Sequence, residues 1–523
     1  MCSDRLRSDQ VQTEGTGMAA PRLRFLLDTN AVITLEPFNG SEEANRSTLA
    51  QFLRLAREHA HHVVVHPANF DDLRETVNPE HRAANLRALE KYERIGEPPL
   101  PDELIEAAGN PQPGSNDLRD VRLLAAVTAG AATHFVTNDG RLIRRATRLG
   151  FEEQVLRPAE ALALLRTLHP DDPPAPPQVR MVMAAELRLD EPIFDSLRRD
   201  YPGFDSWIRN KVAPDPSRRV WIVEDASGGY RAIAIVKRDD DHPLQAGRQL
   251  TKISTFKVDD RAEGEKLGEL LLKTVLQWAH VQRVDALFVT VINDDAKQVL
   301  MRFLDTFGFV NVGRLPGTDD EWVLEKNLTP GADARTDPLA YHVRYGPPAV
   351  ASASDVFVIP IRPNWYEGLF PDSPSLDGTL TLPGFSDVEI RPFGNALRKA
   401  YLSNSTRKSL PAGSVILFYR SAGARGGHGA VRAIGVVEQT LRSSDPSVVL
   451  SFVGRRTVYT AEEVSRMCQS GVIAVLFRQD RFLDEAWSLD ELVAMGVLNG
   501  PPQTITQAAS KEGRAWVLQQ LSG

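Results

Sequence analysis

Leu23-Arg24-Phe25-Leu26-Leu27-Asp28-Thr29-Asn30 is an apolar run that ends abruptly on an acid and two polar residues. A short apolar run of this kind reads as a strand, and the acid sits where the strand hands over to a turn. Three further acidic points stand in the same stretch: Asp71-Asp72, Asp117 with Asp120, and Asp139 in Thr137-Asn138-Asp139. Each lies just past an apolar segment or at the head of a helical one. Strand patterns at residues 23–27, 63–65 and 133–137 alternate with helical patterns at 48–60, 79–95, 117–129 and 142–149. Such alternation with short links predicts a parallel sheet covered on both faces, an α/β/α sandwich. Side chains there converge on a crevice outside the carboxyl ends of the strands. Four carboxylates at one point repel each other unless a cation lies among them, and oxygen-only donors favour Mg²⁺ or Mn²⁺. That is the equipment of metal-assisted phosphodiester hydrolysis.

The same stretch resembles the PIN domain family of metal-dependent ribonucleases. The matching pieces are the strand before Asp28-Thr29-Asn30, the Asp72-Leu73 pair after a strand, Asp120-Val121-Arg122-Leu123-Leu124-Ala125-Ala126, and Phe135-Val136-Thr137-Asn138-Asp139. The resemblance implies Asp28, Asp72, Asp120 and Asp139 as metal-binding and catalytic residues, with Asn30 and Asn138 as supporting polar groups. The second position is more often Glu in that family. Asp71 competes with Asp72, and Asp117 with Asp120. Any one of these acids alone also reads as a helix cap; four in this order favour the nuclease. A phosphatase with an aspartyl nucleophile needs a second Asp where Asn30 stands, and a supporting lysine, whereas Lys91 is the only lysine of the first 150 residues. His59, His61, His62 and His66 lack the spacing of a zinc site and read as strand-edge residues.

A chain of 523 residues with 42% hydrophobic and 25% charged residues suggests about three ordinary globular domains. The punctuation at His169-Pro170-Asp171-Asp172-Pro173-Pro174-Ala175-Pro176-Pro177 and at Thr329-Pro330-Gly331 places the cuts. The expected division is a disordered tail at 1–20, domains at 21–168, 181–328 and 341–523, and linkers at 169–180 and 329–340. No apolar run is long enough to span a membrane, and the first 20 residues carry no signal-like apolar core. Cys2 and Cys468 form neither a disulfide framework nor a zinc site, which suggests a cytoplasmic protein. The net charge of −8 lends nucleic-acid binding no support.

From Val220 the texture changes to antiparallel strands: Val220-Trp221-Ile222-Val223, then Arg231-Ala232-Ile233-Ala234-Ile235-Val236, then residues 252–258. A loop, Asp259-Asp260-Arg261-Ala262-Glu263-Gly264-Glu265-Lys266-Leu267-Gly268, leads into a helical pattern at 269–280. A strand at 285–292 then precedes Asn293 and Phe307-Gly308-Phe309. Strand, glycine-bearing loop and helix start aim backbone N–H groups at an anion. This stretch resembles the GNAT superfamily of N-acetyltransferases over about residues 190–328. The resemblance implies an α+β fold and acetyl-CoA as cofactor, held by Phe256, Val258, Gly264, Lys266, Leu267, Gly268 and Asn293. The family's pyrophosphate motif survives only at Gly268. Lys266 replaces a glycine and is positioned to meet a phosphate, Glu263 and Glu265 oppose one, and Leu304 stands where a tyrosine often acts as general acid. The bland alternative is a silent fold kept for packing.

In the last third, Val415-Ile416-Leu417-Phe418-Tyr419-Arg420 and Ala433-Ile434-Gly435-Val436-Val437-Glu438 form a two-strand signal around a glycine-rich connection at 423–429. Further strands are expected at 448–453 and 472–479, and a helix near 489–495. This arrangement is similar to the ASCH/EVE group of PUA-like small β-barrels, which implies RNA as a partner. Phe418, Tyr419, Arg420, Arg455 and Arg478 are the candidates for stacking and phosphate contact. The combined expectation is an enzyme acting on RNA, with a PIN-like Mg²⁺ or Mn²⁺ ribonuclease site, a GNAT acetyltransferase and a PUA-like reader. That combination suggests a toxin-like role with an antitoxin or regulatory partner, the acetyl acceptor being unspecified. Two alternatives stand beside it: an acetyltransferase of a protein or small amine with binding-only flanks, and an inactive scaffold.

Overall fold

The computed structural model describes residues 21–35, 46–170, 177–225, 227–292, 294, 297–318, 320–330, 337–373, 394, 396–422 and 429–522. The expected N-terminal tail, half of each linker, Asn293 and most of the 423–429 connection lie outside the described residues.

Strands β1 (Arg24–Leu27), β2 (His62–Val65), β3 (Glu93–Arg94), β4 (His134–Val136) and β5 (Val155–Leu156) form an all-parallel sheet in the order β3-β2-β1-β4-β5. Phe25, Leu26 and Leu27 are fully buried, as a strand covered on both faces requires. The chain winds outward from β1 to one side through β2 and β3 and to the other through β4 and β5, so the crevice opens between β1 and β4. Helix Pro79–Leu89 stops short of the expected residue 95, because Glu93 and Arg94 pair with Val64 and Val65 as an edge strand.

The second sheet has seven strands: β6 (Val179–Val182), β7 (Arg218–Glu224), β8 (Tyr230–Asp241), β9 (Gln249–Val258), β10 (Ala286–Ile292), β11 (Val310–Arg314) and β12 (Glu321–Asn327). Their order is β11-β12-β10-β9-β8-β7-β6, and only β9 and β10 run parallel. These two are registered at Leu287↔Thr251 and Phe288↔Lys252 and then part. Beyond that point β10 continues against β12 and β9 against β8. A wedge opens between them, with the apolar helix Leu267–Val281 packed against β8 and β9.

The third sheet holds β13 (Val356–Ile361), β14 (Arg398–Ser403), β15 (Val415–Arg420), β16 (Ala430–Ser443), β17 (Val472–Ser488) and β18 (Thr506–Gln507), in the order β14-β17-β16-β15-β13-β18. Three register shifts between β16 and β17 curl it. Among the described residues the pairing does not return from β18 to β14, so the expected barrel is a curled open sheet. β18, registered at only two positions, is too short to close it. Residues 448–453, expected as a strand, belong to helix Pro446–Val453. Asp445 caps it by accepting the Ser447 N–H at 2.8 Å and Pro446 occupies the first turn, and this start signal overrides the β-branched run.

The first and third lobes share one apolar core. Phe25, Leu162 and Leu165 belong to the same buried cluster as Phe357, Phe418, Leu450 and Val453. Among the described residues no helix is long and apolar enough to cross a membrane.

Candidate functional site

Two sites emerge, beginning with the acids of the first crevice. Asp28 follows β1; its N–H donates to the Val136 carbonyl at 3.0 Å, and its carboxylate accepts the Thr137 hydroxyl at 2.6 Å. Burial pushes its carboxyl up to about 6, with the charges of Asp139 and Asp72 adding, against the hydrogen bonds of Thr137 and Thr29. Asp120, on helix Asn116–Thr128, is pushed up to about 7 by burial first and by Asp139 next, with Arg145 and Arg141 opposing. Asp139 caps helix Gly140–Arg148 and accepts the Arg141 N–H at 2.6 Å. Burial raises it, but the Arg141 amide and guanidinium outweigh burial and hold it below the usual range. Asp72, on helix Pro67–Arg74, lies 3.7 Å from Arg119. Asp28 thus feels the charges of Asp139 and Asp72, and Asp120 those of Asp139 and Asp28.

Both members of each ambiguous pair meet an arginine, Asp72 through Arg119 and Asp120 through Arg145, each at 3.7 Å. Asp71 is occupied by Arg122 at 2.8 Å and Arg74 at 3.1 Å. Asp117 is 59% exposed and bound to Arg145 at 3.3 Å. Asn30 is exposed rather than aimed at the cluster. The polar support is instead Asn69, fully buried, whose amide donates to the Leu27 carbonyl at 3.3 Å and to Thr29 Oγ1 at 3.1 Å, fixing the Asp28 turn. No sequence signal set Asn69 apart. Among the described residues no three His, Cys, Asp or Glu side chains stand at ion-holding distances. The donor chemistry nevertheless suits a hard divalent cation: oxygen donors, two of them held up by burial and mutual repulsion that such a charge relieves.

The second site fills the wedge between β9 and β10 as a cavity of about 930 Å³. Phe256, Val258, Gly264, Lys266, Leu267 and Gly268 all line it. The loop is not free, however. Gly264 has φ of +87°, and a Cβ there would lie 2.8 Å from the Ala159 carbonyl oxygen of the first lobe. Glu263 faces Arg157 at 3.5 Å. Lys266, expected to meet a phosphate, is bound to Glu269 at 3.0 Å. Glu269 in turn accepts the N–H groups of Leu397 and Arg398 at 3.0 and 2.9 Å. Lys252, where the strands part, also lines the cavity, and burial lowers the pKa of its ammonium despite Asp240 and Glu321. A lone lysine between Thr251 and Ile253 inside a strand was its only sequence signal.

The positions expected to read RNA are mostly consumed elsewhere. Phe418 is fully buried against Phe370 and Phe477 at ring distances of 4.9 and 4.8 Å. Tyr419 is also buried. Both corrections follow from a strand covered on both faces. Arg420 is held by Glu367 at 2.6 Å. Arg455 binds Glu160 and Arg478 binds Glu438 at 2.7 Å. These two belong to a buried charge cluster joining the first and third lobes. Arg456 binds Glu153 at 2.7 Å and also Glu438, while Arg398 reaches Glu152 at 2.7 Å and Glu438 at 3.2 Å. Despite burial, the guanidiniums of Arg398, Arg456 and Arg478 hold the Glu438 carboxyl well below its usual range.

No family model matches the chain, and no curated protein matches it. Solved structures match parts of it. An acetyltransferase of the GNAT family from Staphylococcus aureus Mu50 is 14% identical, with a TM-score of 0.24, over 29% of this chain and 100% of that one. A mutant of the spermidine N-acetyltransferase SpeG from Vibrio cholerae is 15% identical, with a TM-score of 0.23, over 29% and 93%. The ASCH protein from Zymomonas mobilis is 17% identical, with a TM-score of 0.22, over 31% and 94%.

Proposed function

We propose that the wedge between β9 and β10 binds an acyl-CoA and that its acyl group passes to an amine. The observation that carries this reading is the parting of two parallel strands after two registered pairs, over a cavity lined by the loop that opens helix Leu267–Val281. Past Lys252, β9 has no strand partner on the β10 side among the described residues. An extended chain of amides can therefore lie along it as an added strand does. Lys252 stands at the apex with a lowered pKa, which suits it to take the proton that the attacking amine gives up. The amine nitrogen bonds to the thioester carbon, the carbon–sulfur bond breaks, and the CoA thiolate leaves. Calorimetry with acetyl-CoA tests binding. Lys252→Met should lower kcat while leaving the affinity for acetyl-CoA nearly unchanged, and no heat at millimolar acetyl-CoA would end the reading.

A second reading rests on the raised carboxyls of Asp28 and Asp120. Asp28, Asp72, Asp120 and Asp139 would hold Mg²⁺ or Mn²⁺, which would supply the charge for phosphodiester hydrolysis in RNA. Thr137 and Asn69 orient the Asp28 turn, and Arg141 and Arg145 temper the repulsion. Incubation with RNA and Mn²⁺ tests it. Asp28→Asn should abolish cleavage, whereas wild-type cleavage that persists in EDTA excludes it.

A further inference from the structure

Arg302, Arg144 and Arg157 bring three guanidiniums together where helix Gln298–Thr306 of the second lobe meets helix Gly140–Arg148 of the first. A Cβ on Gly140 would lie 3.5 Å from Arg144 Nη1 and 3.6 Å from Arg302 Nη1, so both guanidiniums flank one point. Arg302 Nη1 is buried and has no hydrogen-bond partner. Among the described residues neither Arg302 nor Arg144 forms an ion pair, while Arg157 faces only Glu263, at 3.5 Å. Burial and then the charges of Arg157 and Arg144 push Arg302 down to about 10, with no carboxylate opposing. Arg302 and Arg157 both line the wedge cavity. Like charges gathered with an orphaned buried N–H are costly unless an anion completes them.

We propose that these three arginines are the phosphate-binding site of the cavity and hold the phosphates at the nucleotide end of the acyl-CoA. The inference rests on the acyl-CoA reading of the wedge. The loop that would otherwise serve is spent internally: Lys266 is bound to Glu269, Glu263 faces Arg157, and Gly264 packs on Ala159. The anionic end of the cofactor therefore needs cations from elsewhere, and guanidiniums meet phosphates with paired N–H donors. Part of the cofactor site thus comes from the first lobe.

The experiment is calorimetric titration of the full chain with CoA and, separately, with inorganic pyrophosphate, for wild type, Arg302→Met and Arg302→Lys. Arg302→Met removes a charged phosphate contact and should weaken CoA roughly ten- to hundredfold, with Arg302→Lys in between and melting temperatures not lowered. Equal CoA affinity in wild type and Arg302→Met overturns the arginine site and leaves the wedge reading standing. Wild type that binds no CoA overturns the wedge reading. In that case pyrophosphate binding that depends on Arg302 still supports a phosphate site, and its absence overturns both. A short RNA that binds through Arg302 more tightly than CoA would refute the cofactor as occupant.

Discussion

Asp120→Asn tests the acid cluster through its electrostatics, independently of any turnover. The Asp120 side chain is only 16% exposed, and its carboxyl moves from 3.8 to about 7 through burial and the neighbouring Asp139. Each pH unit of displacement is worth about 1.4 kcal/mol, so the ionised side chain opposes folding by roughly 4 kcal/mol at pH 8. The folded chain keeps a proton between about pH 4 and 7 that the unfolded chain has released, so stability falls as pH rises through that window. Asparagine keeps the shape and cannot ionise. The variant should therefore melt above wild type by roughly 4 kcal/mol of stability at pH 8 and roughly 1.6 at pH 5, converging below pH 4. Loss of the Arg145 contact at 3.7 Å subtracts a small part of this. Millimolar Mn²⁺ should raise the wild-type midpoint at pH 8 and leave the variant nearly unmoved. Circular-dichroism melts at three pH values with and without the ion read both effects. A variant that melts below wild type at pH 8, or an equal Mn²⁺ shift in both proteins, refutes the reasoning.

Arg456→Met strips the buried Glu153 and Glu438 of a shared partner and should cost about 3–5 kcal/mol in urea unfolding, since single removal leaves buried charge uncompensated. Adding Glu153→Gln should recover part of that loss; a double variant no better than the single one would show that the pair is not coupled. Gly264→Ala sets a methyl against the rigid Ala159 carbonyl at a positive φ. It should cost about 1–3 kcal/mol in a thermal melt and weaken acetyl-CoA; unchanged values for both would show that the loop is not pinned to the first lobe.

Asp28 directly follows β1 and Asp139 comes three residues after β4, the two neighbouring central strands, so local order alone places both beside the crevice. Asp72 and Asp120 were legible only as members of pairs, and the structure leaves each pair open, since arginines reach both members: Arg122 and Arg119 at Asp71 and Asp72, Arg145 at Asp117 and Asp120. The wedge was legible as strand, loop and helix, and six of its predicted residues do line one cavity. What the pattern could not show is that the loop is engaged within the fold, Glu263 by Arg157, Lys266 by Glu269 and Gly264 by the Ala159 carbonyl. The arginines of the third lobe misled for the same reason in reverse. Basic residues on a strand look available until Glu438, Glu152 and Glu153 appear beside them, and those partners are set by tertiary packing. Arg302 belonged to no motif at all.

The buried charge cluster also dictates an order of events during synthesis. Glu153 and Arg456 are bonded across a separation of 303 residues. At roughly 5–20 residues per second, the carboxylate waits about 15–60 s for its guanidinium to emerge. During that interval the first lobe has its sheet and its acid crevice but exposes the patch around Glu152, Glu153 and Leu165 that the last third will cover. A nascent chain therefore presents an unfinished first lobe until translation is nearly complete. Chains truncated before Arg455 should remain in that state, with an apolar surface that invites a chaperone.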